Sequence, residues 1–188
     1  MKDCGIVLPQ PIKPVGAYTV AQLSENLLFL SGILPFRDGK LIRKGKVGKD
    51  ISVAEASDEA LQVVINALAI VKDYLGSLER VKKCIKITGY VASSENFTEQ
   101  HIVLNPASEL LVKIFGERGK HCRVAVGVCS LPLDASVEMD FIFEIFLINP
   151  AFSFNSSNSS FVKTRYWPGL RPSSLTPSIE ILMSLITG

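Results

Sequence analysis

The sequence predicts an α+β fold, a sheet with helices laid on one face. Three observations predict it. The segments read in the order strand, strand, helix, strand, helix, strand, strand. The first helix carries a continuous apolar stripe, and the later strands alternate apolar with polar residues. The 188 residues suit one domain with an appendage, since a chain this long buries about two-thirds of its unfolded surface without a disulfide or metal staple. A composition of 47% apolar and 20% charged residues argues against wholesale disorder.

Residues 27–36, Leu-Leu-Phe-Leu-Ser-Gly-Ile-Leu-Pro-Phe, read as a strand buried on both faces. Arg37-Asp-Gly-Lys40 signals a turn, and Lys40–Arg43 a short return strand. Ser52-Val-Ala-Glu55 is a capping box that starts a helix. Leu61, Val64, Leu68, Val71 and Leu75 form its apolar stripe, and Gly76 closes it. In 83–91, Ile85, Ile87 and Val91 point one way while Lys86, Thr88 and Tyr90 point the other. Asn105-Pro106 reads as N-cap and first-turn proline of a second helix ending at Gly116.

The last two strands, 123–128 and 137–147, read as an antiparallel hairpin across the loop at Leu131-Pro132. The valines at 124, 126 and 128 make one core face; Val137, Met139, Phe141, Phe143, Ile145 and Leu147 make the other. Bringing these faces together needs a register in which even positions meet odd ones. Arg123 then lies on the same outer face as Glu138, directly opposite it in one register, with Ser136 or Asp140 opposite in the neighbouring ones. That outer face mixes small residues, charges and Ile142, which suits an interface covered by self-association.

Residues 1–148 form the expected domain, with 17 basic and 17 acidic side chains. This balance lacks the basic excess of a sequence-independent nucleic-acid binder. Residues 149–188 read as a Ser/Pro-rich, loosely structured extension whose last apolar stretch, Ser178–Thr187, could form a short helix or strand. Met1-Lys-Asp-Cys-Gly5 lacks the apolar core of a secretory signal, and no apolar run approaches the ~18 residues of a membrane helix. The expectation is a soluble protein of the cytoplasm, with the mitochondrion as the alternative. Cys4, Cys84, Cys122 and Cys129 show no metal-site spacing and read as free thiols.

Arg123 is the leading candidate for chemistry: a strand-face guanidinium at an interface can clamp a carboxylate bidentately. The competing reading is a structural ion pair with Glu138 or Asp140. Glu138 could position a water or transfer a proton if burial raises its pKa, or it could simply balance Arg123. Tyr18, after Gly16-Ala17, could reach a ligand or serve as an interface aromatic. Ser31-Gly32 marks either close backbone approach or a β-bulge. His101 and His121 are isolated histidines that read as solvated, and Cys122 reads as packed inward. No phosphate loop, dinucleotide fingerprint or metal triad is present, and no cofactor is expected.

Together these residues resemble the Rid/YjgF family of reactive-intermediate deaminases, also labelled L-PSP endoribonucleases, in a YjgF-like branch distinct from the best-known RidA members. The matching stretches include Pro14-Val-Gly-Ala-Tyr18, Leu27–Pro35, Arg37-Asp-Gly-Lys40, Lys86-Ile-Thr-Gly-Tyr-Val91, Asn105-Pro-Ala-Ser108, His121–Val128, Leu131-Pro132 and Val137-Glu138. The resemblance implies a chorismate-mutase-like α+β subunit with two helices on one face, forming a homotrimer with clefts between subunits. It implies hydrolysis of 2-imino acids or their enamines to 2-keto acids and ammonia, without metal or cofactor. Arg123 would bind the substrate carboxylate, Glu138 would handle water, and Tyr18, Ser31 and Gly32 would line the cleft. A non-catalytic trimer binding a small carboxylate or a protein client is a second reading; an endoribonuclease is a third.

Overall fold

The computed structural model describes residues 5–11 and 16–147. The extension at 149–188, its apolar end and Cys4 lie outside the described residues.

Among the described residues seven strands and two α-helices follow in order. Strands β1 (Ala21–Ser24) and β2 (Leu27–Ile33) precede a two-residue hairpin, β3 (Phe36–Arg37) and β4 (Lys40–Leu41). Then come α1 (Val53–Leu75), β5 (Val81–Ala92), α2 (Gln100–Phe115), β6 (Cys122–Val128) and β7 (Val137–Ile145). The main sheet runs β1-β2-β7-β5-β6, with β5 and β6 parallel and the other pairs antiparallel.

Helix α1 forms where its capping box directs it. The Ser52 hydroxyl accepts from the Glu55 N–H while the Glu55 carboxylate accepts from the Ser52 N–H. Gly76 ends it in the left-handed region at φ 79°, where a side chain would be strained, and its N–H caps the Lys72 carbonyl. The predicted stripe holds at Val64, Leu68, Val71 and Leu75, with Leu61 half-buried. These pack with Leu28, Leu30, Ile87, Met139, Phe141 and Phe143 from the sheet. Within this core the Glu59 carboxyl is fully buried, accepts from the Ser136 hydroxyl and lies 3.6 Å from Arg43. Burial pushes its pKa up, and Arg43 partly opposes the shift.

Several expectations are corrected. The strand expected over 27–36 is β2, which ends at Ile33 and is buried on one face only: Leu28, Leu30 and Ile33 face the helices, whereas Phe29 is 39% exposed on the opposite face. In β5 the alternation breaks at an extra residue. Cys84 pairs with Phe143 and Lys86 with Ile142, so Ile85 bulges out and the buried Cys84 takes its place in the core. Helix α2 begins at Gln100, five residues before Asn105, and Pro106 lies inside it. The start is set by packing: Phe97 lies against the core, and the Gln100 side chain donates to the Phe97 carbonyl at 2.8 Å. Pro106 removes the N–H that would bond Ile102, which a tertiary-packed helix tolerates.

The largest correction concerns β6 and β7. They are not paired; β5 lies between them. β5, α2 and β6 form a βαβ unit, whose crossover requires parallel strands. The face relation therefore reverses. The cross-sheet rows are Val126–Tyr90–Glu138 and Val124–Thr88–Asp140, even positions meeting even ones. Val124 and Val126, 41% and 37% exposed, lie on the open face of the sheet and not in the core. β7 keeps its predicted core face from Val137 to Ile145, but Leu147 has left the sheet and is exposed.

Candidate functional site

Arg123 pairs across the sheet with Ile87 and, beyond it, Phe141, so its side chain emerges on the helix-covered face. It lies on β6, the edge strand, and reaches α2. Nη1 donates to Ser108 Oγ at 3.0 Å; Nη2 donates to Asn105 Oδ1 at 3.0 Å and to the His101 carbonyl at 3.3 Å. Residues 101, 105 and 108 recur at the spacing of one helix face. All three acceptors are neutral. Among the described residues Arg123 has no carboxylate partner. Its position is fixed while its charge is left uncompensated, as an anion-binding guanidinium requires.

Behind this contact stands His121. Its Nδ1 lies 2.7 Å from the Gly119 carbonyl, which can only accept, so Nδ1 carries the proton. Nε2 lies 3.1 Å from Ser108 Oγ. Burial lowers the His121 pKa, and the positive charge of Arg123 lowers it further; the Gly119 hydrogen bond opposes both.

The second cluster sits around β2 and β7. Glu138, Asp140 and Tyr90 share the open face, where the Tyr90 hydroxyl donates to Asp140 Oδ2 at 3.1 Å. The Glu138 carboxylate lies over Gly32: a Cβ built on Gly32 would overlap it, so a side chain there would displace the carboxylate. The β2–β7 register shifts between Leu30 and Ile33, so Ser31-Gly32 interrupts the pairing as the bulge reading expects, and the group that closes on Gly32 is the Glu138 side chain of the same chain rather than a ligand or another chain. Burial raises the Glu138 pKa first, and the charge of Asp140 raises it further. Ser31 Oγ donates to the Thr19 carbonyl at 2.6 Å and the Ser31 N–H to the Val20 carbonyl at 3.0 Å. This strap carries Tyr18, 54% exposed, to the rim of a cavity of about 280 Å³ that Ser31, Gly32, Phe36, Ile70 and Leu133 also line.

The structure therefore brings Tyr18, Ser31, Gly32 and Glu138 into one region and sets Arg123 apart from them. Arg123 and Glu138 do not share a face, and the ion pair between them is absent, as is one with Asp140. The parity rule failed because β5 intervenes and β6 is parallel to it. Cys122 is corrected for the same reason: as an even position of β6 it is exposed rather than packed inward. Among the described cysteines the buried thiol is Cys84, with its pKa pushed up to about 12 by burial. His101 is exposed and serves Arg123 through its carbonyl; His121 is half-buried, not solvated. Sequence reasoning missed Ser108, Asn105 and His121 as the shell of Arg123. The available signal was the 101/105/108 spacing, together with His121 two residues before Arg123.

Chemically, a fixed cation can hold a small carboxylate. A half-buried carboxyl with a raised pKa can orient water and exchange a proton with it. One subunit presents these two groups to opposite sides of its sheet.

The chain matches, over residues 1–145, the family model described as "YjgF/chorismate_mutase-like, putative endoribonuclease". It is 38% identical over 146 residues to Protein TCP17 of Trypanosoma cruzi, covering 77% of this chain and 91% of that one. Among solved structures it is similar to the protein Atu1372 of Agrobacterium tumefaciens, of unknown function, with a TM-score of 0.72 and 44% identity over 77% of this chain and 89% of that one. It is also similar to RidA of the Antarctic bacterium Psychrobacter sp. PAMC 21119, with a TM-score of 0.50 and 28% identity, covering 72% and 94% of the two chains. Among the described residues no helix is long and apolar enough to cross a membrane.

Proposed function

Because the chain belongs to the YjgF/chorismate-mutase-like family, we propose that it is a homotrimer whose clefts hydrolyse 2-imino acids to 2-keto acids and ammonia. One observation carries this reading. Arg123, an uncompensated guanidinium, and Glu138, a carboxyl raised by burial, lie on opposite faces of one sheet and can meet only across a subunit boundary. The open face bearing Val124, Val126 and Phe29 is the surface such an assembly would cover. The contact then lies on the face that carries these valines.

Arg123 of one subunit binds the substrate carboxylate. Glu138 of the next orients a water toward C2 of the iminium and takes its proton as the C–O bond forms. The resulting carbinolamine loses ammonia: the C–N bond breaks, the nitrogen leaves with the proton Glu138 returns, and the C2 hydroxyl proton is released as the carbonyl closes. Ser31 and Gly32 form the floor and Tyr18 the rim. No redox step is needed, and water is the only co-reactant.

The test is ammonia release from 2-iminobutanoate, made in situ by an amino-acid oxidase, with and without the protein. Clear acceleration is expected. No acceleration, with 2-oxobutanoate still bound, would replace the hydrolase by a carboxylate-binding trimer.

A pH profile adds a second expectation. Glu138 must be ionised to take a proton, so kcat/KM falls as pH drops through its raised pKa. Asp140→Asn removes the like charge that contributes to the raise. The Glu138 pKa should fall, and the acid limb should move to lower pH. An unmoved limb would mean that it belongs to another group.

A further inference from the structure

We propose that His121 and Ser108 form a positioning relay that fixes the Arg123 guanidinium for its ligand. The functional half of this inference rests on the reading of Arg123 as a carboxylate clamp; the geometric half does not.

The Gly119 carbonyl accepts from His121 Nδ1–H at 2.7 Å, which leaves Nε2 as a bare acceptor. Ser108 Oγ, 3.1 Å from Nε2, has a single proton. It also accepts from Arg123 Nη1 at 3.0 Å, so its own proton is free to turn to His121. The chain therefore runs in one direction: Arg123 donates to Ser108, Ser108 to His121, and His121 to the backbone at Gly119. Each bond polarises the next, making the Ser108 oxygen a better acceptor for a cation than an isolated hydroxyl. A neutral imidazole does this without cancelling the charge a ligand needs; a carboxylate there would neutralise Arg123. Gly119 is buried and itself set by packing, because a Cβ on it would overlap the Leu111 backbone. The relay thus ties the loop before β6 directly to α2 at Ser108 and, through Ser108, to the functional arginine. His121 and Ser108 are positioning residues, one hydrogen bond or more behind the group that meets substrate.

The test uses the full-length protein with Ser108→Ala, Ser108→Thr, His121→Ala and the double Ala variant, each checked for melting temperature and oligomer mass. Two readouts separate the two levels of the claim. The first is NMR of the Arg123 Nη groups, which needs no substrate. Restricted rotation is expected in the wild type and in Ser108→Thr, and averaging in Ser108→Ala and His121→Ala. The second is turnover of 2-iminobutanoate. Either Ala variant should lose about three- to tenfold in kcat/KM, mostly through KM, as expected for one neutral hydrogen bond. The double variant should be no worse than Ser108→Ala, because the two links act in series. Ser108→Thr should restore turnover. Unchanged Arg123 rotation in Ser108→Ala, or wild-type kcat/KM in folded Ser108→Ala alongside an inactive Arg123→Ala, overturns the relay. A wild type with no turnover but the expected NMR pattern retains the relay and rejects the hydrolase reading.

Discussion

Arg123→Ala should remove imine hydrolysis and leave a folded protein of unchanged oligomer mass. A charge-assisted hydrogen bond contributes on the order of 1.5–3 kcal/mol, and a bidentate pair lies toward the upper end. If that interaction is fully used in the transition state, kcat/KM falls at least about tenfold and toward a hundredfold or more. The structural loss should be small, because Arg123 has no ion-pair partner among the described residues and its three acceptors sit where water can replace it. Arg123→Lys should recover little, since an ammonium cannot reproduce the planar fork. Turnover and oligomer mass are measured on the same sample. Activity lost only in proportion to assembly lost would make Arg123 a structural residue, and a fully active variant would remove it from the site.

The second expectation concerns a mixture. Arg123→Ala and Glu138→Gln should each be inactive, yet co-assembled trimers should regain activity. Each subunit offers Arg123 and Glu138 to opposite sides of its sheet, so a cleft of the proposed trimer would draw one group from each of two neighbours. In a random equal mixture about one cleft in four pairs an intact arginine with an intact glutamate, so about a quarter of wild-type activity should return. If both groups came from one subunit, no mixture could contain a complete cleft and recovery would be nil. Variants carrying different affinity tags, refolded together and purified through both tags, leave only mixed trimers, each with one complete cleft in three, so recovery in that sample should rise to about a third. Co-assembly without recovery would place the two residues in the same subunit's site.

How much of this could be read from the chain differs by element. The first helix was legible to the residue at both ends, because a capping box and a left-handed glycine are local chemistry. The core face of β7 was legible because alternation survives whatever the pairing. β6 misled. Its three valines carry the same apolar signal whether a face meets helices or another subunit, and hydrophobicity alone cannot tell these apart. The strand–helix–strand order at 81–128 held the missing information, since such a crossover implies parallel pairing. Arg123 and Glu138 were identifiable by residue type and by resemblance. Their relative placement was not, because it depends on a strand lying between them. The His121–Ser108 contact was illegible for a related reason: it joins a loop to the middle of a helix, and Asn105-Pro106 made that helix look as if it began where its seventh residue lies.

Pro106 gives the arginine a role in the reverse direction. The helix continues through it but is one hydrogen bond short, with the Ile102 carbonyl deprived of its usual amide donor. His101 and Asn105 lie before Pro106 and Ser108 after it, and the Arg123 guanidinium donates to all three. One side chain from the sheet edge thus acts as a clasp across the weakest turn of α2. Fraying of residues 100–105 is then a local opening event, opposed by the clasp and separate from global unfolding. An anion bound at Arg123 as proposed would engage a group already tied to that equilibrium, so occupancy of the proposed cleft and order at the start of α2 are expected to rise and fall together.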